Sequence, residues 1–542
     1  MKKILTMVAL CLAMKGLACT NLIVGKGASA DGSVMITYSA DDYGSFGYLH
    51  FYPAGHHKAG EMRALYDYET NNYLGEIPEA EYTYGVIGQI NDQQLSIMET
   101  TFGGREELAD STGLFDYGSL MYVTLQRAKN AREAIDVWTK LVETYGYRSE
   151  GESITIADPN EVWVLEMIGK GPGRKGAVWV ACRLPDDCIT GHANQSRITT
   201  FPLKDKKNCL YSKDVISFAR EKGYFSGKDK DFSFRDAYAP NDFGARRICE
   251  ARVWSFFNRS AAGMDRYLPY VLGKDDNAEE MPWCIRPDRP VSLNDLKQAM
   301  RDHFECTPME MTSDLGAGPY EAPYRPTPLY YEVDGKKYFN ERPISTQQTA
   351  VTYLAQLRSW LPNHIGGVLW VGFDDANMVP YAPVYCCSTL CPGAYSEKTA
   401  DPFTFSLKSA YWIQNALSNF VYPRYSQLFP EVQRGRDTLD HEFETMVADA
   451  DKEAAAMSKE EAVKHLTGFT SRAAGLMMDR WRGLFERIIV KYNDMTEKPE
   501  VDGQYKRTVG GDHVPVIRPG YPERYRKVIV GTTGDRYLAP SK

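Results

Sequence analysis

The fold of this chain is decided by one stretch close to its start, Cys19-Thr20-Asn21-Leu22-Ile23-Val24-Gly25-Lys26-Gly27-Ala28-Ser29-Ala30-Asp31-Gly32-Ser33. The apolar run after the cysteine predicts a buried strand, and Asp31-Gly32 predicts a hairpin-type turn into a second strand that ends near Ser39. A cysteine at the start of a core strand would be held by a rigid element, as a catalytic group requires. We therefore consider Cys19 a candidate nucleophile.

The residues before Cys19 have the pattern of a secretory signal peptide. A basic Lys2-Lys3 pair precedes the apolar run 4–14, and Gly16-Leu17-Ala18 supplies a small-x-small cleavage motif. The apolar run is too short to span a membrane, for which about 20 residues are needed. We expect a signal peptidase to remove residues 1–18, and we expect a periplasmic or secreted protein with no membrane span.

Cleavage at this motif makes Cys19 the first residue, and this changes its chemistry. An α-amine has a pKa of about 7.7–8.0, against about 10.4 for a lysine, so part of it is unprotonated at neutral pH. A neutral amine beside the thiol can take the thiol proton, directly or through one water, so that one residue supplies both nucleophile and base.

A lipoprotein is the alternative interpretation of the same cysteine. A cysteine after Leu17-Ala18 also resembles a lipidation site, although the usual motif has leucine at the position that Gly16 occupies here. Lipidation would alkylate the sulfur and acylate the amine, which removes both functions. Lipoproteins usually continue with a polar linker, whereas an apolar strand begins here at once, so the chain after Cys19 favours the nucleophile.

Further blocks follow in a fixed order, at residues 88–91, 99–101, 151–153, 157–159, 163–166, 179–187 and 192–198. Together with the opening stretch they resemble the cysteine dipeptidases of the N-terminal-nucleophile (Ntn) hydrolase superfamily, the group that contains dipeptidase A and the secernins. The resemblance is densest in the first half of the chain and thins after about Trp254. It implies an α+β fold, the Ntn-hydrolase αββα sandwich, in which Cys19 opens a central strand facing a cleft. It also implies dipeptide hydrolysis through a thioester, with no metal and no organic cofactor.

The resemblance also implies roles for other residues. Side-chain amides stabilise the oxyanion that a thiolate forms on an amide. Asn194 matches an asparagine that related hydrolases place beside the nucleophile. Asn91 is a second candidate, for which a turn residue is the alternative. The family matches Asp42 to the acid that steadies the terminal amine or thiol, and Asp41 is the neighbour with which it can be confused. The family commonly has an arginine before this acid, but residues 38–42 contain none, so the balancing cation is open.

A restriction to dipeptides requires charged groups near both ends of the substrate. Asp41 and Asp42 are candidates for binding its amine. Arg246 and Arg247 resemble an arginine pair of the family, and either could hold a substrate carboxylate, or that of Asp42, with two hydrogen bonds. A surface salt bridge is the alternative for either arginine.

Composition is that of an ordinary globular protein and gives no nucleic-acid signature. Hydrophobic residues make up 43% and charged residues 25% of the 542 residues. Lys and Arg total 63 against 71 Asp and Glu, a net charge of −8, whereas a nucleic-acid binder usually has a basic domain or stripe. We predict one large domain over 19–542, with insertions.

Hydrophobic patterning predicts the main elements along the chain. We expect helices at 117–130, 131–145, 345–360 and 403–420, strands at 153–157, 162–168 and 367–373, a helical C-terminal part over about 434–495, and a loop tail from residue 500. In an exported protein some cysteines could pair, but nine remain in the mature chain once Cys19 is set aside, so at least one is unpaired and the pairing pattern stays open.

The sequence thus predicts an exported cysteine dipeptidase whose partners are a dipeptide substrate and a signal peptidase. Two alternatives stay open. An Ntn amidase acting on acylated amino acids, of the bile-salt or penicillin type, would use the same Cys19 chemistry with a large apolar cleft. A lipidated, non-catalytic surface protein would keep only the fold. The sequence is also compatible with a homo-oligomer.

Overall fold

The computed structural model of the chain describes residues 19–511 and 513–541. The predicted signal peptide, residues 1–18, lies outside the described residues and stays a prediction. Among the residues that are described, no helix is both long enough and apolar enough to cross a membrane.

The strands, in chain order, are β1 (Asn21–Val24), β2 (Val34–Asp41), β3 (Phe51–Tyr52), β4 (Gly55–His56), β5 (Met62–Tyr66), β6 (Tyr73–Pro78), β7 (Tyr82–Thr83), β8 (Val86–Ile87), β9 (Ile90–Asn91), β10 (Ser96–Gly103), β11 (Gly151–Ala157), β12 (Val162–Gly169), β13 (Ala177–Arg183), β14 (Ile189–His192), β15 (Cys209–Tyr211), β16 (Tyr330–Val333), β17 (Lys336–Phe339), β18 (Thr349–Leu357), β19 (Gly367–Gly372), β20 (Ala382–Tyr385), β21 (Glu500–Val501) and β22 (Gln504–Tyr505). The helices are α1 (Tyr117–Arg127), α2 (Ala131–Tyr145), α3 (Val215–Glu221), α4 (Phe234–Tyr238), α5 (Ala251–Ser260), α6 (Leu268–Val271), α7 (Leu293–Met300), α8 (Asn363–Gly366), α9 (Ala410–Val421), α10 (Tyr425–Ala455), α11 (Lys459–Tyr492) and α12 (Glu523–Thr533).

Two antiparallel sheets form the centre of the fold. One has six strands in the order β14-β1-β2-β18-β19-β20, and the other has eight in the order β15-β13-β12-β11-β10-β9-β8-β3. The sheets contact each other where β1 and β2 meet β10. Helices α1 and α2 lie against β10 and β11 of the eight-stranded sheet, and α10 and α11 lie against β20 of the six-stranded sheet. The predicted α+β class is confirmed.

The opening stretch forms the predicted hairpin. The carboxylate of Asp31 accepts hydrogen bonds from Ser29 Oγ at 2.7 Å and from Ser33 N at 3.0 Å, and Gly32 takes the left-handed φ of 82° that closes the turn. Gly25 lies against the backbone of Asp186, where a Cβ would come within 2.5 Å of a carbonyl oxygen. A side chain at Gly25 would therefore push β1 away from its neighbours.

Helices α1 and α2 have clear start signals. The side chain of Asp116 accepts a hydrogen bond from Ser119 N, and that of Asn130 accepts one from Glu133 N. Both are N-cap bonds, which satisfy an otherwise unpaired N–H at a helix start. The predicted helices at 117–130 and 131–145 are confirmed, although α1 ends three residues early.

The predicted helix at 345–360 is wrong. Most of this segment is β18, which lies between β2 and β19 and is buried at every position. A central strand covered on both faces lacks the polar alternation that marks a half-exposed strand, so its apolar run resembles a buried helix.

The helical C-terminal part is confirmed and begins earlier than predicted. Helices α10 and α11 run antiparallel over Tyr425–Ala455 and Lys459–Tyr492 and contact each other along their lengths. The capping box of Ser458 and Glu461 starts α11. The tail after residue 500 is not all loop, because it contains α12 and the short β21–β22 hairpin.

Candidate active site

Cys19 lies immediately before β1, with a side chain only 2% exposed. Strand β1 pairs with β14, in which Asn21 lies opposite His192, the last residue of β14 and two residues before Asn194. The Cys19 thiol lies 3.7 Å from the hydroxyl oxygen of Tyr38 on β2. The core strand therefore places the sulfur at the contact between the two sheets.

The surroundings of Cys19 keep its thiol protonated. Burial raises the pKa of this thiol well above its ordinary value, and the charges of Glu99 and Asp41 raise it further. The hydrogen bond between the thiol and the Tyr38 hydroxyl oxygen and the one from the backbone N–H of Asp41 lower this pKa but do not outweigh burial. The thiol therefore needs a base in contact with it before it can attack a carbonyl.

His192 does not supply that base. Its ring nitrogens lie 2.7 Å from Thr100 Oγ1 and 2.8 Å from Thr155 Oγ1, so both are used in contacts between the sheets. Burial, with the charge of Arg197, lowers the pKa of His192 to about 3, so the ring is neutral.

Arg252 on α5 holds the start of the nucleophile strand. This side chain is fully buried and donates to the Cys19 carbonyl oxygen at 2.7 Å, to Thr20 Oγ1 at 2.9 Å and to Asn194 Oδ1 at 3.0 Å. The guanidinium thus fixes Cys19 and Asn194 relative to each other. Sequence reasoning missed this residue, because nothing in a helical pattern marks an arginine that points inward.

Asp41, and not Asp42, is the acid beside Cys19. Asp41 is fully buried at the end of β2, with its carboxylate 2.5 Å from the Arg342 guanidinium and 2.7 Å from Thr349 Oγ1. Asp42 is only half-buried and accepts a hydrogen bond from Ser45 Oγ at 2.8 Å. Arg342 is the balancing cation that residues 38–42 lack, and sequence reasoning missed it as well.

Asn194 lies near Cys19, since Arg252 contacts both residues. Its backbone takes a left-handed φ of 63°, and its Nδ2 donates to the Thr101 carbonyl oxygen at 2.8 Å. A non-glycine residue in this region of φ is uncommon and is found at sites where a side chain must be aimed. Arg252 holds the other end of the amide group.

Asn91 does not lie with this group. Its Nδ2 donates to the carbonyl oxygens of Leu125 and Ala128 at 2.7 and 2.8 Å, and its Oδ1 accepts from the backbone N–H groups of Gln93 and Leu95. The amide therefore joins the β9 turn to the end of α1. This placement supports the turn interpretation and indicates a structural role for Asn91.

An Asn91→Ala variant should lose stability and keep its turnover number. Removal of the amide leaves two buried carbonyl oxygens and two N–H groups unpaired, so we expect the free energy of unfolding to fall by about 2–4 kcal/mol. Urea unfolding measures this loss, and kcat of the folded fraction on a dipeptide is the control. A large fall in kcat at unchanged stability would instead place Asn91 in the site.

Arg246 and Arg247 lie in ion pairs away from the sulfur. Arg246 pairs with the exposed Asp276 at 2.7 Å, the surface salt bridge given as its alternative. Arg247 is buried, and its Nε lies 2.9 Å from the carboxylate of Glu341, the residue before Arg342. Both belong to a π-helical turn, Ala245–Glu250, that leads into α5. Neither side chain is placed against Cys19, so their predicted substrate contacts stay untested.

Two buried glutamates complete the surroundings of Cys19. Tyr38 donates to Glu99 Oε1 at 2.9 Å, and Glu152 on the neighbouring strand is in hydrogen-bonding contact with Glu99. Glu99 falls in the block 99–101, which the sequence had singled out without giving it a role. Over residues 19–511 and 513–541, no group of three or more His, Cys, Asp or Glu side chains has the arrangement of a metal site.

The amino-acid sequence is similar to those of known peptidases. The model of peptidase family C69 matches residues 18–437. A protein named probable dipeptidase from Latilactobacillus sakei is 26% identical over 83% of this chain and 90% of its own length. Dipeptidase A from Lactobacillus helveticus is 26% identical over 77% of this chain and 85% of its own, and a probable dipeptidase from Salmonella dublin is 28% identical over 71% and 85%.

The family match begins one residue before Cys19 and includes every residue placed around its sulfur, from Asp41 to Arg342. It also includes both central sheets and ends inside α10. The resemblance drawn from the opening stretch is confirmed over most of the chain. This chain belongs to peptidase family C69.

Proposed function

We propose that this C69 peptidase is an exported cysteine dipeptidase in which Cys19, as the first residue of the mature chain, is the nucleophile. The observation that carries the proposal is that the buried Arg252 guanidinium donates both to the Cys19 carbonyl oxygen and to Asn194 Oδ1, which holds these two residues together. The names of the relatives support dipeptides as the substrate class.

Maturation supplies the base that the buried thiol lacks. Hydrolysis of the bond between Ala18 and Cys19 converts the Cys19 nitrogen from an amide to an α-amine. Because Ala18 is bonded to that nitrogen, its departure also opens space next to the nucleophile. The neutral amine takes the thiol proton, and the resulting thiolate is the reactive form.

The reaction then follows the usual course of a covalent amidase. The thiolate attacks the carbonyl carbon of the scissile bond, forming a C–S bond and an oxyanion that Asn194 and backbone N–H groups stabilise. Collapse breaks the C–N bond, and the Cys19 ammonium gives its proton to the leaving amine. A water that has lost a proton to the same amine attacks the thioester. The C–S bond breaks, which releases the amino-terminal residue of the dipeptide and restores the Cys19 thiolate.

The rest of the geometry fits this proposal. The two sheets with helices on their outer faces correspond to the αββα sandwich expected of an Ntn hydrolase. Arg342 supplies the counter-charge for the buried Asp41 carboxylate near the sulfur. Arg252 would act as a positioning residue, because it contacts the strand that carries the sulfur.

Two measurements test the proposal and its alternatives. Intact-mass analysis of the exported protein should give a chain that begins with unmodified Cys19; a diacylglyceryl-modified cysteine would support the lipidated surface protein instead. When the mature protein is incubated with a panel of dipeptides and acyl-glycine amides, it should release amino acids from the dipeptides. Cleavage of the acyl amides alone would support the amidase, and cleavage of neither would refute the proposal.

A further inference from the structure

Two carboxyl groups are buried together next to the nucleophile. Glu99 lies on β10 and Glu152 lies on β11, and the side chains are 2% and 0% exposed. The antiparallel register sets Thr101 opposite Glu152, which brings Glu99, two residues earlier on the same face, diagonally next to it. Tyr38 joins this pair to the sulfur, since its hydroxyl lies 3.7 Å from Cys19 Sγ and 2.9 Å from Glu99 Oε1.

The hydrogen bonds of this pair leave one oxygen of each carboxyl without a protein donor. Glu99 Oε1 accepts from Tyr38, and Glu152 Oε1 accepts from Thr101 Oγ1 at 2.7 Å. Within the described part of the chain, no N–H or O–H group donates to either Oε2 atom. The two carboxyl groups contact each other, so one shared proton would satisfy both.

A pair that shares one proton keeps one negative charge. The groups that act on the two carboxyls are Tyr38, Thr101, Glu69 and Glu150. None of these is a cation, and two of them are acids. A buried charge without a counter-charge is costly. The α-amine of mature Cys19 must be neutral to act as the base, so the pair is arranged to accept a cation from outside the chain.

A dipeptide brings a cation to this position. Its ammonium nitrogen and its scissile carbonyl carbon share one Cα and lie about 2.5 Å apart. The sulfur must approach that carbon to about 3–3.5 Å before attack. The ammonium therefore lies within one side-chain contact of Cys19, which is where Tyr38 and Glu99 are. An acylated amino acid has no charge at this atom.

We propose that Glu99 and Glu152 bind the α-ammonium group of the substrate and so select peptides with a free amino terminus. This proposal rests on the proposed dipeptidase function and adds its specificity. It gives a physical reason for hydrolysing dipeptides in preference to acyl amides of the same shape, because a buried carboxylate loses its partner when the amine is missing.

The test compares two substrates that differ only in the ammonium group, Ala-Ala and N-propionyl-alanine. For the wild-type mature enzyme we expect kcat/KM to be at least about 100-fold higher for Ala-Ala. Glu99→Gln and Glu152→Gln should each lower kcat/KM for Ala-Ala by about 100-fold, mainly through KM, without lowering kcat/KM for N-propionyl-alanine. Binding of both compounds to the inactive Cys19→Ala protein by calorimetry repeats the comparison where hydrolysis is too slow to measure.

Glu106→Gln is the matched control, because Glu106 is an exposed acid shortly after β10, the strand that carries Glu99. It should leave the ratio between the two substrates unchanged. The rate at which iodoacetamide alkylates Cys19 should be the same in Glu152→Gln as in the wild type and should rise in Glu99→Gln, because the charge of Glu99 raises the pKa of the thiol. A fall in this rate would point to an effect on the nucleophile instead of ammonium binding.

The pH dependence of KM provides a further readout. Burial raises the pKa of Glu99 to about 7, so below this pH the pair gains a second proton and loses its charge, whereas the substrate amine loses its own proton above about 8. We expect 1/KM for Ala-Ala to be highest between the pKa of Glu99 and that of the substrate amine. For N-propionyl-alanine we expect 1/KM not to fall as the pH is lowered below the pKa of Glu99. The titratable groups facing the pair are Cys19, Tyr38, Tyr68, Tyr117, Tyr147, Glu69 and Glu150, and burial raises the pKa of each of these tyrosines, which therefore stay neutral.

Each other outcome is decisive. If the wild type hydrolyses Ala-Ala but the two variants keep its preference, the ammonium site is wrong and the dipeptidase stands. If both substrates lose activity equally in Glu99→Gln, the pair acts on catalysis and the ammonium site is also wrong. If the wild type hydrolyses neither compound nor any other dipeptide, the proposed function itself fails.

Discussion

Cys19→Ser is expected to lose dipeptide hydrolysis by at least about 1000-fold while export and removal of residues 1–18 continue. A serine hydroxyl is far less acidic than a thiol, so the neighbouring α-amine cannot generate its anion to a useful extent. The hydroxyl also keeps nearly the shape of the thiol, so the fold should persist. The measurement is release of amino acids from dipeptides, with intact mass confirming that the chain begins at residue 19.

Cys249→Ser is the matched control for this experiment. Cys249 is also fully buried, and its thiol is in contact with the Arg252 guanidinium. The same exchange of sulfur for oxygen therefore occurs in the same region without touching the proposed nucleophile. We expect its activity to stay close to that of the wild type. Undiminished hydrolysis by Cys19→Ser would rule out the mechanism, and equal losses in both variants would point to a structural effect.

Asp41→Asn is expected to have the second-largest effect. The exchange leaves the buried Arg342 guanidinium without its counter-charge, so the free energy of unfolding should fall by about 3–5 kcal/mol. Asp41 also presents its backbone N–H to the Cys19 sulfur, and we expect kcat to fall by about 100-fold as the strand end shifts. Urea unfolding and kcat on one dipeptide measure the two effects.

Two further variants give this prediction its controls. Asp42→Asn makes the same chemical change one residue away, at a half-buried side chain bonded to Ser45, and should alter stability by no more than about 0.5 kcal/mol. Combining Asp41→Asn with Arg342→Met removes both charges and should recover part of the lost stability. Equal effects of Asp41→Asn and Asp42→Asn, or strictly additive losses in the double variant, would contradict the assignment of Asp41.

The hairpin at 19–39 was predicted correctly and the element at 345–360 was not, because the first is defined by local contacts and the second by distant ones. The hairpin is local: Asp31 and Gly32 close a turn whose bonds join residues two apart. Strand β18 is defined by β2, more than 300 residues earlier in the chain, and by β19. Because both of its faces are buried, its own residues do not show which element it forms.

The sequence by itself determined the family and the opening hairpin, and it predicted Cys19 as the nucleophile with Asn194 near it, because these depend on residue types and on pairing near the opening stretch. Only the tertiary structure decided between Asp41 and Asp42, and only it identified Arg252, Arg342 and the pair Glu99–Glu152. In a strand, adjacent residues point to opposite sides, so the partner of each carboxylate depends on what packs there. For Asp41 that partner is Arg342, 301 residues away, and no local pattern encodes such a contact.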